Sequence, residues 1–446
     1  MFRRRAIAPI AAACLAVSVV GCSAGGEGNK AAGEQPQAAP KIEVPSGPIT
    51  LKVGSTRTPQ ALEEVTRTVK AKYPNVTLEF MPAYKTDVKV INELVTSGNL
   101  PDILDVATTH IPILLDFDLP IDLEPLLKKY NFNLNSIDPG ALTDIRSYNG
   151  KQVMVPTNLT PPTALFYNKD LFDRFGVSYP KVGNTWEDLM EPARKLSRSE
   201  GGVNYLGLIP ATNANYHVKQ RSLPYVDAKT GKSTFATDNG WKLMFEHWKS
   251  IIDIPGNYPA GTKFTSGTSY FFQDKRLALY PNYLYFLQEK ILKDSVASGL
   301  NFGVTTWPAF KDAPNVTFGS FSGGMMITKS NKYPDFSLQL IMTMVSDEGQ
   351  IDFAKNGMTP SVSKPELRTH IFEGNPAIDV VPKDVFNAIV SMKEPKPVFR
   401  SKFDPDGLTV LTKYMHEYLE NKTDLNTALR KADEEFNKIM EDNSRK

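Results

Sequence analysis

Residues 150–172 constrain this chain more than any other stretch. Gly150-Lys151-Gln152-Val153-Met154-Val155-Pro156 reads as a turn running into a short apolar strand that a proline stops. Leu165-Phe166-Tyr167-Asn168 reads as a second strand, with a helix starting at Asn168-Lys169-Asp170. Between them Thr157-Asn158-Leu159-Thr160-Pro161-Pro162 is polar and stiffened by proline. Two strands joined by such a connector suggest a chain passing between two lobes. A length of 446 residues agrees, being too great for one ordinary core.

The front end carries a second specific signal. Arg3-Arg4-Arg5 precedes a short apolar run, Ala6 to Val20, that is below the roughly 20 residues needed to span a bilayer. It ends in Val19-Val20-Gly21-Cys22, which resembles the bacterial lipobox. That resemblance implies a signal peptide at 1–21, cleavage before Cys22 and lipidation of its thiol. Two acyl chains give stable anchoring where one is marginal. The other cysteine, Cys14, lies inside the apolar run, so Cys22 is left without a disulfide partner. Residues 22–47 are rich in Gly, Ala, Gln and Pro, the composition of a flexible tether. Removing the leader with its three arginines leaves 48 basic against 49 acidic side chains, a balance that makes no electrostatic case for nucleic acid.

The body begins near Pro48. Ile49-Thr50-Leu51-Lys52-Val53 alternates as a strand should, and Thr58-Pro59 opens a helix with Leu62, Val65 and Val69 on one face. Val76, Leu78 and Phe80 mark the next strand, completing a βαβ unit. Asp87 to Gly98 reads as a helix and Leu100 to Val106 as another strand. Ligands of open α/β sheets collect at the carboxyl ends of the strands. The loops after these strands therefore nominate Ser55, Thr56, Arg57, Tyr84, Asp105, Thr108 and Thr109 as cleft residues. Downstream, Trp241, Met244, Phe245, Trp248 and Ile252 form an aromatic stripe at helical spacing, read here as core.

Several segments together resemble one family, the extracellular solute-binding proteins of ABC importers, carbohydrate type and maltose-binding-protein-like. The family carries G-K-x-Y-x-x-P, then Y-N-K-D-x-F, then T-W-x-[DE]-L. Here these are Gly150 to Pro156, Tyr167 to Phe172, and Thr185-Trp186-Glu187-Asp188-Leu189. Pro101-Asp102-Ile103, Asp122 to Leu127, Gly319 to Ile327, Ser346 to Gln350 and Gly357 to Ser361 match further family segments in order. Ser269 to Tyr280 resembles its F-x-x-G-K-x-A-M segment, with Asp274 for the glycine and Leu279 for the methionine. Pro192 departs from the pattern and predicts a kink in the helix after Thr185.

The resemblance implies an α/β, two-lobed fold of the type II periplasmic-binding-protein class, with a multi-crossing hinge and the ligand between the lobes. Crossings are expected near Pro156–Pro161, Trp307–Ser320 and Gly357–Ser361, giving a first lobe at 48–156 plus 320–360 and a second at 160–318 plus 362–446.

No catalytic or metal motif accompanies it. The histidines, His110, His217, His247, His370 and His416, are scattered, and there is no P-loop, H-E-x-x-H or G-x-S-x-G. Asp404-Pro405-Asp406-Gly407 is a calcium-loop fragment without its later ligands and reads as a turn. The expectation is no enzyme, no cofactor and no metal. Sugars need flat rings to stack on and short polar groups for their hydroxyls. Tyr84, Tyr216, Tyr283, Trp307 and Phe321, placed in expected loops or strand ends, are the stacking candidates. Thr160, Asn282, Ser322 and Gly323 are the polar ones.

The resulting expectation is a monomeric lipoprotein on the extracytoplasmic face of the cell membrane, anchored at Cys22. It would capture a sugar, an oligosaccharide first, by hinge closure and deliver it to ABC transporter membrane subunits. The alternatives are the same fold holding a peptide or polyamine, or a polysaccharide-degrading surface lipoprotein.

Overall fold

The computed structural model describes residues 40–444, apart from 82–87, 149, 211–212, 260–261, 264–266 and 320. Cys22, with the leader and most of the tether, and Tyr84 lie outside the described residues.

The strands follow in order as β1 (Ile49–Ser55), β2 (Val76–Met81), β3 (Ile103–Ala107), β4 (Val155–Leu159), β5 (Thr163–Asn168) and β6 (Arg198–Glu200). They continue as β7 (Val203–Leu208), β8 (Leu277–Tyr283), β9 (Phe302–Thr306), β10 (Ser322–Ile327) and β11 (Thr359–Pro360). They form two sheets. The first has the order β11-β4-β10-β3-β1-β2 and the second β6-β7-β8-β5-β9. β4 and β5 are consecutive in sequence but belong to different sheets, so residues 160–162 are a crossing between lobes, as the proline-stiffened connector predicts.

In the first sheet β1 runs parallel to β2 and β3, while β10 runs antiparallel between β3 and β4. The helices Pro59–Val65 and Arg67–Lys72 form the crossover from β1 to β2. Period-two alternation sends side chains to two cores. Ile103, Val155, Met325 and Ile327 join Leu51, Val53 and Val69 on one face. Leu104, Val106, Met154 and Met326 join Ile111 and Leu114 on the other.

In the second sheet β5 lies between β8 and β9, antiparallel to both. The helix Trp186–Leu196 packs beside it, opened by a capping box in which Thr185 Oγ1 accepts from the Asp188 amide and Asp188 accepts from the Thr185 amide. Pro192 lies inside this helix without ending it. Trp186, Leu189, Ala193 and Leu196 are buried, and that packing holds the helix across the missing hydrogen bond. The stripe Trp241, Met244, Phe245 and Trp248 packs against Val410, Leu411, Tyr414 and Met415 and against Ala428 and Phe436, a helical core as expected. Asp404 and Asp406 sit in the first turn of the helix Asp404–Leu419.

Packing also locates the return of the chain to the second lobe. Val362 and Leu367 belong to the first lobe's core, and Ile371 and Phe372 to the second's. After Met392 an irregular strap returns to the lobe boundary. The Lys393 amide donates to Asn315 O at 2.8 Å, and the Thr317 amide donates to Lys393 O at 3.0 Å.

One buried cluster has a consequence for acid stability. His217 and His247 lie 5.1 Å apart, centroid to centroid, among Trp186, Trp248 and Phe310. Trp248 Nε1 donates to His217 Nδ1 at 2.6 Å, which fixes that nitrogen as an acceptor. Burial pushes His217 well below the usual imidazole range and His247 down to about 3. Unfolding frees both to take protons near pH 6.5, so the unfolded chain binds more protons below that pH. Their stabilisation is whole above pH 6.5 and is lost as pH falls, at about 1.4 kcal/mol per imidazole per pH unit. Asp404, raised by burial to about 6, opposes this in part. Urea unfolding at pH 7.5, 6.0 and 5.0 should show stability falling with pH, with a shallower fall in a His247→Asn variant. Equal slopes in the two proteins would refute the assignment.

Candidate ligand cleft

The carboxyl ends of β1 and β3 converge on one carboxylate. Asp105 is 1% exposed, and its Oδ2 accepts from Ser55 Oγ at 2.6 Å and from Arg57 Nε at 2.9 Å. Arg57 also donates from Nη2 to Asn158 Oδ1 at 2.9 Å, which ties the β1 loop to the end of β4. Gly323 pairs with Asn158, and a methyl built on it would stand 3.0 Å from Asn158 Oδ1 and 3.1 Å from Arg57 Nη2. Gly324 is closer packed: its methyl would stand 2.4 Å from Val155 O, so that glycine serves strand packing. Thr56 is exposed at the edge of this group. Thr108 is buried and Thr109 exposed, both in the 3-10 turn that follows β3.

The crossing segments carry the next layer. The Thr160 amide donates to Phe321 O at 2.9 Å, and the Phe321 amide donates to Thr160 Oγ1 at 3.1 Å. Ser322 pairs with Leu159 and is buried.

On the second lobe four rings gather beside these segments. Tyr216 stacks on Phe318 at 4.5 Å with a 14° interplanar angle. Tyr283 meets Tyr216 edge-on at 5.8 Å, and Phe321 lies 6.3 Å from Phe318. Tyr216, Tyr283 and Phe321 are each partly exposed. Tyr285 faces the first lobe: burial and Glu289 raise its hydroxyl to about 12, with smaller effects from Glu64 and Arg57 across the boundary.

Three sequence expectations change. Tyr216 lies in the helix Asn215–Gln220, not a loop. Asn282 and Tyr283, expected in a loop starting at Pro281, lie within β8, which runs three residues past Tyr280, and Asn282 is buried with its amide engaged by Tyr280 and the Tyr283 amide. Trp307 is 0% exposed. It packs 5.1 Å from Phe318 and 5.8 Å from Trp186, and it backs the ring cluster from inside the core. The crossing that carries Phe318 covers it, which its strand-end position could not reveal.

The structure also recruits residues that the sequence did not nominate for binding: Asn158, Phe318, Tyr285 and Lys219. Lys219 Nζ lies 3.6 Å from the centroid of the Phe321 ring. Asn158 falls in the stretch read as connector, but the proline at 156 does not stop the strand: β4 runs on through Leu159, pairing with β10 and β11, and only residues 160–162 cross. Phe318 and Lys219 gave no signal, since their neighbours come from distant segments.

Among the described residues no group of three or more His, Cys, Asp and Glu side chains is placed to hold a metal ion. No described helix is long and apolar enough to cross a membrane.

Comparison with known proteins decides the family. The model of the bacterial extracellular solute-binding protein family matches residues 54–351. The chain belongs to that family. A binding protein of Brucella abortus (strain 2308) is 23% identical to this solute-binding protein over 337 residues, covering 73% of this chain and 78% of the relative. The sn-glycerol-3-phosphate-binding periplasmic protein UgpB of the same organism is 24% identical over 197 residues, 41% of this chain and 42% of UgpB. Among solved structures, an ABC substrate-binding protein from Listeria monocytogenes in complex with cycloalternan superposes with a TM-score of 0.68 at 17% identity. That match covers 88% of this chain and 99% of the other, and it establishes for this solute-binding protein the two-lobed type II fold.

Proposed function

We propose that this solute-binding protein is the membrane-anchored receptor of an ABC importer, and that its solute is a carbohydrate, an oligosaccharide. One observation carries the solute class. The partly exposed rings of Tyr216, Tyr283 and Phe321 stand beside a polar network of Ser55, Arg57, Asp105, Asn158 and Thr160, at the boundary between lobes. Rings offer faces to the apolar side of a pyranose, and the network offers donors and acceptors to its rim. Solved structures of this fold include ones with mannotriose and maltotriose bound, which supports the same class.

Of the candidates, Thr56, Arg57, Thr109, Thr160, Tyr216, Tyr283, Phe321 and Gly323 form the ligand face, and Ser55 and Thr108, both buried, support it. Asp105, Asn282, Ser322 and Trp307 act from behind it. The lobes are 48–156 plus 320–360 and 160–318 plus 362–446, with the packing of Val362 and Leu367 in the first core moving the last boundary to about 368–370, and they close on the solute about the crossings. Lipid at Cys22 holds the body at the extracytoplasmic face, where the closed form meets the transporter's membrane subunits.

Thermal unfolding of residues 48–446 across oligosaccharides, monosaccharides, amino acids, peptides and polyamines tests the reading. A ligand at 100 times its Kd adds about 2.7 kcal/mol of stability. A rise in Tm with one sugar class, and no product by chromatography, is the expected outcome. A rise only with peptides or polyamines would remove the carbohydrate assignment, and consumption of a sugar would make the protein an enzyme.

A further inference from the structure

A cavity of about 260 Å³ lies between the helix Pro139–Arg146 of the first lobe and the strap 393–400 of the second. Leu159 and Ser322, paired across β4 and β10, contribute to its lining. Asp138 and Asp144 line it from the first lobe, and Lys219, Glu394, Lys396 and Arg400 from the second, so three carboxylates stand against three cations. We propose that this cavity is the polar subsite of the solute cleft and that it takes an uncharged sugar unit in preference to an anionic one. The proposal rests on the carbohydrate reading given above.

Position comes first. Lys219 is 6% exposed and its Nζ lies over the face of Phe321, so the cavity abuts the ring cluster. A chain of sugar units stacked on those rings would continue into it. Side chains from both lobes line the cavity, so a unit held there bridges them.

Charge decides the class. Arg400 Nε stands 3.7 Å from Asp144 Oδ1, and its Nη1 stands 3.5 Å from Asp404 Oδ2. These three side chains are 12%, 17% and 14% exposed, Arg400, Asp144 and Asp404 respectively, so the network is largely shielded from water. Burial lowers Lys219 to about 8, and Asp144 and Glu394 act in the other direction to keep it charged. The buried cations are therefore already matched by carboxylates. An anionic substituent would shed its hydration and find Asp144 and Glu394 alongside the cations, with no surplus positive charge to receive it. A sugar hydroxyl both donates and accepts. It can donate to a carboxylate and accept from Lys219 or Arg400 without disturbing their balance.

Calorimetric titration of the soluble chain would use maltose, cellobiose, mannobiose and their trisaccharides. In parallel it would use maltose 6-phosphate, cellobiose 6-phosphate, glucuronate and sn-glycerol 3-phosphate. At least one neutral sugar should bind ten-fold or more tighter than any anionic probe. Lys219→Met and Asp144→Asn should each weaken that neutral sugar by ten-fold or more, measured on protein shown to be folded by circular dichroism, with some loss of Tm because each leaves a buried charge with fewer partners. Tighter binding of an anionic probe would overturn the inference and leave the carbohydrate reading standing. Wild-type affinity in both folded variants would overturn the subsite. Binding of peptides or polyamines with no binding of sugars would overturn both readings. The wild-type comparison decides the charge preference even where a variant fails to fold.

Discussion

Replacing Gln220 with methionine is expected to destabilise the second lobe by about 3–5 kcal/mol. Gln220 is 2% exposed, and its amide is a hub. Its Oε1 accepts from Trp186 Nε1 and from Trp307 Nε1, each at 3.2 Å. Its Nε2 donates to Pro308 O at 2.8 Å and to Val316 O at 2.9 Å. Methionine fills much the same volume and supplies none of these partners. Two indole N–H groups and two carbonyls would be left buried, at roughly 1–3 kcal/mol each and less than additively. Gln220→Glu should cost at least as much, since it would bury a carboxylate against the two carbonyl oxygens that the amide now donates to. Urea unfolding followed by tryptophan fluorescence measures both. A loss below about 1 kcal/mol for the methionine variant would mean that water or a local shift replaces the hub.

The second large effect concerns Arg57 and Asp105. Arg57→Met leaves the Asp105 carboxylate 1% exposed with, among the described side chains, Ser55 to offset its charge, and should cost about 3–5 kcal/mol. Because the penalty comes from the stranded carboxylate, the double variant Arg57→Met/Asp105→Leu should recover part of the loss. Stability losses that simply add would show that the pair does not interact. Arg57 also holds Asn158, so the single variant should weaken sugar binding by ten-fold or more, and the double variant should not restore it.

Much of the frame was legible before any coordinates. Alternation at Ile49, Leu51 and Val53 specified β1, because one face of that strand is buried and the other is not. The helix start at Thr185-Trp186-Glu187-Asp188-Leu189 was a local signal and stands, and of the connector Thr157–Pro162 the last three residues cross between the sheets. The site was less legible. Trp307 followed by Pro308 reads as a strand end opening into a loop, yet a later segment carrying Phe318 covers it. Asp144, Lys219 and Arg400 come from three distant segments and meet only once both lobes are built. Residue type alone does not distinguish a charge at the surface from one in a cleft. Ser55 and Asp105 were more accessible to inference, since strand ends in an open sheet share one edge.

The position of β10 sets a folding schedule. β1, β2, β3 and β4 are all in hand by residue 159, but the strand that joins β3 to β4 begins at Ser322. The first sheet therefore stays in two pieces, each with an open edge, until the whole of the second sheet has been made. Contacts of such long sequence separation form slowly. A chain built this way completes its first sheet only late in its synthesis. Its unpaired β3 and β4 edges, meanwhile, are the places where a helper protein would be needed to prevent aggregation.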